Sequence, residues 1–179
     1  VPPRINKYYI LDLQPQNSLV RFAVEQGHRV FMVSWRNVGE DLGHLTWDDY
    51  VEKGVLKALE VARAISGAEK VNALGFCVGG TLLGVALAVA AAKGGSAVQS
   101  ATFLASMLDF SDTGDIGLFI DESSVAFRDA AIGKGGIMPG RDLAIVFSAL
   151  RANDLVWAYV VNNYLKGKPP EAFDLLYWN

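Results

Sequence analysis

The hexapeptide Gly75-Phe76-Cys77-Val78-Gly79-Gly80 constrains this chain more than any other feature. An apolar run, Lys70-Val71-Asn72-Ala73-Leu74, comes directly before it, and a long stretch of apolar helix formers comes directly after it. A strand that enters a helix through G-x-C-x-G has to turn sharply at its central residue. This is the pattern of a nucleophile elbow, with cysteine in the place of serine. Glycines two positions before and after the turn let strand and helix pass close together. The turn lifts the Cys77 sulfur above the sheet edge and sets the Val78 amide at the positive end of the helix, where it can face a developing oxyanion. A lone cysteine is more often a small buried hydrophobe than a nucleophile. The strand before Cys77 and the helix after it favour the catalytic reading.

The rest of the chain supplies a matching rhythm. Asn17 or Ser18 caps a helix running to Gln26, with Gly27 as its stop. Arg29 to Trp35 is an almost unbroken β-branched and aromatic run and reads as a buried parallel strand. Thr46-Trp47-Asp48-Asp49 forms a capping box with Asp in place of the usual Glu. The helix it starts places Trp47, Val51, Val55, Ala58, Ala62 and Ile65 on one face and stops at Gly67. Val71 to Leu74 is the next strand, and Val98 to Ala105 another. The spacing predicts an α/β fold with a mostly parallel sheet. Ligands of such sheets bind at the carboxyl ends of the strands, which is where Cys77 lies.

Beyond Ala105 the pattern changes. Asp109, Asp112, Gly114, Asp115 and Gly117 crowd together, and Gly133-Lys134-Gly135-Gly136 makes a turn. Helical spacing returns over Arg141 to Leu150. Asn153 can cap a further helix ending near Gly167, ahead of Pro169-Pro170. No strand is expected from Met107 to Asn179. The expectation is a partial core over residues 1–105 and a mostly helical cap over 106–179, inserted above the sheet. Phe173, Tyr177 and Trp178 read as packing residues.

Composition narrows the function classes. The chain has 179 residues, 51% of them hydrophobic and 20% charged, as a globular protein does. A net charge of −3 gives no reason to expect a nucleic-acid partner. A single cysteine excludes an internal disulfide and fits a reducing cytoplasm. The apolar run from Val78 to Ala92 falls short of the ~20 residues of a membrane span and is interrupted by Gly79, Gly80 and Gly84. It reads as a helix buried all round beneath a sheet. The abrupt ends, Val1-Pro2-Pro3 and Tyr177-Trp178-Asn179, suggest a piece of a longer protein.

A cysteine nucleophile needs a base, and the base an orienting acid. The two histidines, His28 and His44, both precede Cys77. In an α/β hydrolase the acid and then the histidine follow the nucleophile, so both read as surface or structural residues. Asp109 could reach the site but reads first as a turn cap. Cysteine itself carries information. An acyl group passed from a thioester donor to a thiol remains an activated thioester, whereas a serine ester loses much of that activation. Acyl transfer from a thioester to a further acceptor, such as an alcohol, therefore suits this nucleophile.

With these motifs in hand, the sequence resembles the polyhydroxyalkanoate synthases along almost its whole length. The resemblance runs through Val1-Pro2-Pro3, Ile5 to Leu13, Val33 to Asn37, the Gly75–Gly80 box, Leu108-Asp109-Phe110, Asn153 to Trp157, Asn163 to Gly167 and Phe173 to Asn179, in order. The Phe76-Cys77 form of the box and the Tyr8-Tyr9 pair are similar to class I enzymes, which favour short acyl chains. The resemblance implies an α/β-hydrolase fold and an acyltransferase that polymerises (R)-3-hydroxyacyl-CoA, typically 3-hydroxybutyryl-CoA, with release of CoA. Cys77 would carry the chain as a thioester, and the amides of Val78 and Ile5 would bind the oxyanion. The catalytic Asp and His are expected after residue 179. No cofactor is implied, the CoA thioester being the substrate. The implied active form is a homodimer at the surface of cytoplasmic polymer granules, holding the growing polyester chain. Arg4 departs from the family pattern, where Trp or Cys is expected. Two other classes compete: a cysteine-dependent hydrolase (thioesterase or depolymerase) on the same fold, and a non-enzymatic interaction module lacking a base.

Overall fold

Near the start of the chain, Tyr8–Leu11 is a 3-10 turn. Asp12–Gln14 (β1) then pairs antiparallel with Asn17–Ser18 (β2). This small hairpin carries no strong strand pattern in the sequence. Ser18 is the cap of helix α1, Leu19–Glu25, and its hydroxyl accepts from the Arg21 amide at 2.8 Å. Gly27, at φ 87°, ends the turn as expected. The computed structural model describes residues 1–5, 7–95 and 97–170. Phe173, Tyr177 and Trp178 lie outside them.

The capping box at Thr46 forms. Its backbone amide donates to Asp49 Oδ2 at 2.9 Å, and its hydroxyl donates to the same oxygen at 3.1 Å. The helix it starts, α2, is continuous over 47–66 and closes on Gly67 at φ 71°. Its middle, Tyr50–Leu56, is wound as a π-helix. The wider turns move the buried stripe. Val51, Val55, Leu59 and Ala62 are buried, so Leu59 takes the place expected of Ala58. Trp47 and Ile65, expected on that face, are 45% and 61% exposed.

Strand β3, Val71–Phe76, pairs in parallel with β4, Val98–Leu104, in register from Asn72 opposite Ser100 to Phe76 opposite Leu104. Between them runs helix α3, Val78–Ala92. The sequence also predicts a strand over Arg29–Trp35, and the structure forms none there. A strand exists only where a neighbour completes its ladder. Among the described residues, the edge of β3 away from β4 is met by Val1, whose nitrogen donates to the Leu74 carbonyl at 2.6 Å and whose carbonyl accepts from Phe76 at 3.0 Å. Among the described residues the 29–35 run has no partner strand.

The core gathers Val51, Val55 and Leu59 of α2, Ala73 of β3, and Leu82, Leu83 and Ala86 of α3. Leu82 and Leu83 are fully buried, which is worth about 1.5–3 kcal/mol each. The first turns of α3 are therefore its anchor. Its end is not buried all round as expected: Ala88, Ala91 and Ala92 are exposed. The close packing of β3 on α3 depends on backbone contact. A Cβ on Gly75 would sit 2.5 Å from the Gly80 Cα, so neither strand nor helix has room for one.

The chain divides into two compact units. Val1–Asn37 with His44–Asp109 form the first, and Val38–Gly43 with the described part of Phe110–Asn179 the second. The second unit has no strand among its described residues, in line with the sequence. It contains a 3-10 segment Gly114–Phe119, then α4, Glu122–Ile132, then α5, Gly140–Leu150. Helix α4 has no sequence counterpart above, although its start is well marked: Asp121 accepts from the Ser124 amide at 2.7 Å. Two π-wound segments follow, Asn153–Trp157 and Val160–Leu165. Asn153 lies inside its helix; Ala152 holds the cap position. Among the described residues no single helix is long and apolar enough to cross a membrane. The pair Gly140–Leu150 and Asn153–Leu165 passes only in combination, across a 96° bend.

Two measurements check this packing. Gly75→Ala must separate β3 from α3 and is expected to cost about 1–3 kcal/mol in urea unfolding; an unchanged midpoint would deny the close approach. Asp49, held by its hydrogen bond from Lys53 and by the Thr46 amide, has its pKa lowered from 3.8 to about 2. A depressed carboxyl adds stability above its unfolded pKa and loses it as pH falls through the folded one. Asp49→Asn should therefore lower stability at neutral pH and flatten the loss between those two values, read from unfolding curves along an acid series.

Candidate active site

Cys77 closes β3 and opens α3 with φ 54° and ψ −127°, a conformation rare outside glycine. Holding it there costs about 1–3 kcal/mol. Three backbone hydrogen bonds fix it. The Cys77 amide donates to the Leu104 carbonyl at 2.9 Å, extending the β3–β4 ladder by one step. Its carbonyl accepts from Gly80 at 2.8 Å and Thr81 at 3.2 Å, which starts the helix. Cys77 is half-buried. The strained strand-to-helix turn read from the hexapeptide is present as expected.

Val78 is the first residue of α3, so its amide has no carbonyl within the helix to pair with. It lies at the positive end of the helix dipole, where negative charge is favoured. Val1-Pro2-Pro3 runs across this helix start. A Cβ on Gly79 would collide with the carbonyl oxygens of Val1 and Pro2. The Pro2 and Pro3 side chains are fully buried, and the Pro2 carbonyl accepts from the Trp35 indole Nε1 at 2.9 Å. Ile5 follows three residues after Pro2, half-buried, in the bend that ends this segment.

A third segment meets the elbow from the end of β4. Ala105 adopts φ 45°, a second strained non-glycine beside the first. The Ser106 hydroxyl donates to Leu104 at 3.0 Å and to the Gly75 carbonyl at 3.4 Å. It fills the space above Gly80 where a Cβ would otherwise go. The Thr81 hydroxyl donates to the Met107 carbonyl at 2.7 Å. Trp35 and Ser106 are the supporting residues that sequence reading missed. Trp35 was visible as the end of an apolar run and within the Val33–Asn37 block of the resemblance, without a role, and Ser106 carried no signal.

His28 and His44 are both exposed, and neither forms a hydrogen bond or ion pair with Cys77 among the described residues. His28 uses its backbone amide to close the end of α1 on Ala23. Asp109 is also exposed, at the end of the stretch leaving β4. The assembled elements are thus a cysteine on a strained turn, an amide at a helix start, and a proline-stiffened loop packed on that start. This arrangement can present a nucleophile to a carbonyl carbon and receive the oxygen charge that forms.

Comparison with known proteins agrees with this geometry. A family model described as the alpha/beta hydrolase fold matches residues 10–179. The poly(3-hydroxyalkanoate) polymerase subunit PhaC of Cupriavidus necator is 58% identical over 184 residues, covering 100% of this chain and 31% of the relative. The poly(3-hydroxyalkanoate) polymerase of Methylorubrum extorquens is 46% identical over 179 residues, covering 100% of this chain and 30% of the relative. The subunit PhaC of Rhizobium meliloti is 43% identical over 178 residues, covering 99% of this chain and 29% of the relative. The chain therefore spans less than a third of the length of these curated relatives. The resemblance read from the motifs is matched by similarity along the whole chain. By its elbow, its parallel strands and the family model that covers it, the chain belongs to the α/β-hydrolase fold family.

Proposed function

We propose that this chain is the nucleophile-bearing part of a class I polyhydroxyalkanoate synthase. The observation that carries the proposal is Cys77 at φ 54° on the turn between β3 and α3, in a chain 58% identical to a poly(3-hydroxyalkanoate) polymerase subunit. The substrate is an (R)-3-hydroxyacyl-CoA, with 3-hydroxybutyryl-CoA as the short-chain case.

In the first step the Cys77 sulfur attacks the thioester carbonyl. The carbonyl oxygen takes up negative charge, which the Val78 amide and the Ile5 amide receive. As the oxyanion collapses, the carbon–sulfur bond to CoA breaks and CoA leaves as a thiol, while the acyl group stays on Cys77. One thioester has replaced another, so the step is close to level in energy. In the second step the hydroxyl of another hydroxyacyl unit attacks the Cys77 thioester. An ester bond forms, and the cysteine sulfur is released. Each hydroxyl or thiol proton needs a base, and the proposal assigns that role to a histidine, oriented by an aspartate, beyond residue 179.

The partners follow the same reading: a growing polyester at the granule surface in the cytoplasm, and a second copy in a homodimer. The second unit offers apolar surface for such contacts. Leu118 is 80% exposed, Phe127 69%, Ile145 67% and Tyr164 84%.

In the complete polypeptide carrying this chain, Cys77→Ala should lower polymer formation at least about a thousandfold. Retention of normal polymerisation would remove Cys77 from the chemistry. Product analysis separates the competing hydrolase. Polyester with negligible free 3-hydroxy acid is expected from 3-hydroxybutyryl-CoA; stoichiometric free acid would identify water as the acceptor and the enzyme as a thioesterase.

A further inference from the structure

Arg4 sits in an unusual setting for a cation. Its guanidinium carbon lies 3.7 Å from the centre of the Tyr50 ring and 5.9 Å from that of Trp35. The two rings pack edge to face, 6.2 Å apart and inclined at 76°. Both aromatics lean on the hydrophobic core. The Arg4 Nε is buried and has no hydrogen-bond partner. A buried donor left unpaired is costly, and the cation–π contact offsets only part of that cost. An apolar residue would fill this place without leaving a donor unpaired.

The same aromatic pair already holds the loop by another route. The Trp35 indole donates to the Pro2 carbonyl at 2.9 Å. Trp35 in turn lies against Gly54, where a Cβ would come within 2.8 Å of its ring. Gly54 belongs to the π-wound stretch Tyr50–Leu56, which also carries Tyr50. Helix α2 thus presents a bare backbone patch and a ring face side by side, and the loop is fastened to both. Val1 is held by β3, Pro2 by Trp35, Pro2 and Pro3 by their own rings, and Arg4 by Tyr50. The next residue is Ile5.

We propose that Arg4 is a positioning residue. Its stack on Tyr50 clamps the end of the 1–5 loop and so fixes where the Ile5 amide points over the elbow. The inference rests on the synthase reading, in which that amide binds the oxyanion. A clamp of this kind acts on the transition state, where the oxygen carries charge, and little on substrate binding.

The test uses the complete polypeptide with 3-hydroxybutyryl-CoA and compares Arg4→Ala, Tyr50→Leu and the double variant. Arg4→Ala should lower kcat about tenfold with KM within about twofold of the parent. In the Tyr50→Leu background the same change should have no further effect on kcat, since the stack is already gone. Arg4→Lys should recover part of kcat, because an ammonium keeps the charge over the ring but not the planar stacking. Arg4→Met, which keeps the apolar stem, replaces Arg4→Ala if that variant loses its fold. Unchanged kcat in Arg4→Ala, or effects that multiply in the double variant, would overturn the clamp. Cys77→Ala run alongside separates the two levels. An inactive Cys77→Ala with a fully active Arg4→Ala removes only the clamp; an active Cys77→Ala removes the synthase reading itself.

Discussion

The contact on which the rest depends is backbone against backbone, where Gly75 of β3 meets Gly80 of α3. Only at that separation does the chain leave the strand and enter the helix within one residue. The residue between must then take a backbone conformation that side chains disfavour, and Cys77 takes it. Ser106 closes over the same glycine pair from the end of β4, and Val1-Pro2 closes over Gly79 from the other edge of β3. Three distant stretches of sequence thus converge on a point set by missing Cβ atoms.

Magnitudes explain why the strained turn persists. The dihedral cost at Cys77 is about 1–3 kcal/mol, and Ala105 adds a similar amount. Leu82 and Leu83, one turn into the helix, each recover about 1.5–3 kcal/mol by full burial. The helix cannot slide to relax Cys77 without withdrawing those leucines from the core. Strain at Cys77 is maintained by the packing of leucines in the core.

Much of this was legible in the sequence, and the parts that were not have physical reasons. The elbow, the caps at Ser18 and Thr46, the stop at Gly67 and the parallel pair β3–β4 are local or periodic, and each was readable. The run 29–35 has the right residues for a strand, but pairing is a property of a neighbour and not of the run. The stripe on α2 slipped from Ala58 to Leu59 because a π-helix departs from the 3.6-residue period on which such reading rests. Helix α4 escaped because it buries nothing: Val125 and Phe127 are exposed, so no apolar face announces it. Within the site, Cys77 and Val78 could be read from one hexapeptide. Trp35, Ser106 and the Arg4–Tyr50 stack could not, because their roles come from contacts between residues far apart in sequence.

The elbow alone cannot decide between polymer and free acid. A thiol on a turn and an amide at a helix start stabilise the same oxyanion whether the incoming nucleophile is water or an alcohol. Cys77 is half-buried, so the described residues nearest it do not seal it from solvent. On the synthase reading, discrimination would come from groups that cover the sulfur while an acyl chain is attached. Among the described residues, Ser106 closes over Gly80, and Val1-Pro2 closes over Gly79 at the start of the loop that runs to Ile5. Two prolines stiffen that loop, an indole hydrogen bond anchors it, and an arginine is stacked at its end. On the synthase reading, a cover this rigid would hold an acyl carbonyl in one orientation while the second nucleophile arrives. An acceptor that is itself bound then has the advantage over freely diffusing water, because its orientation is already fixed.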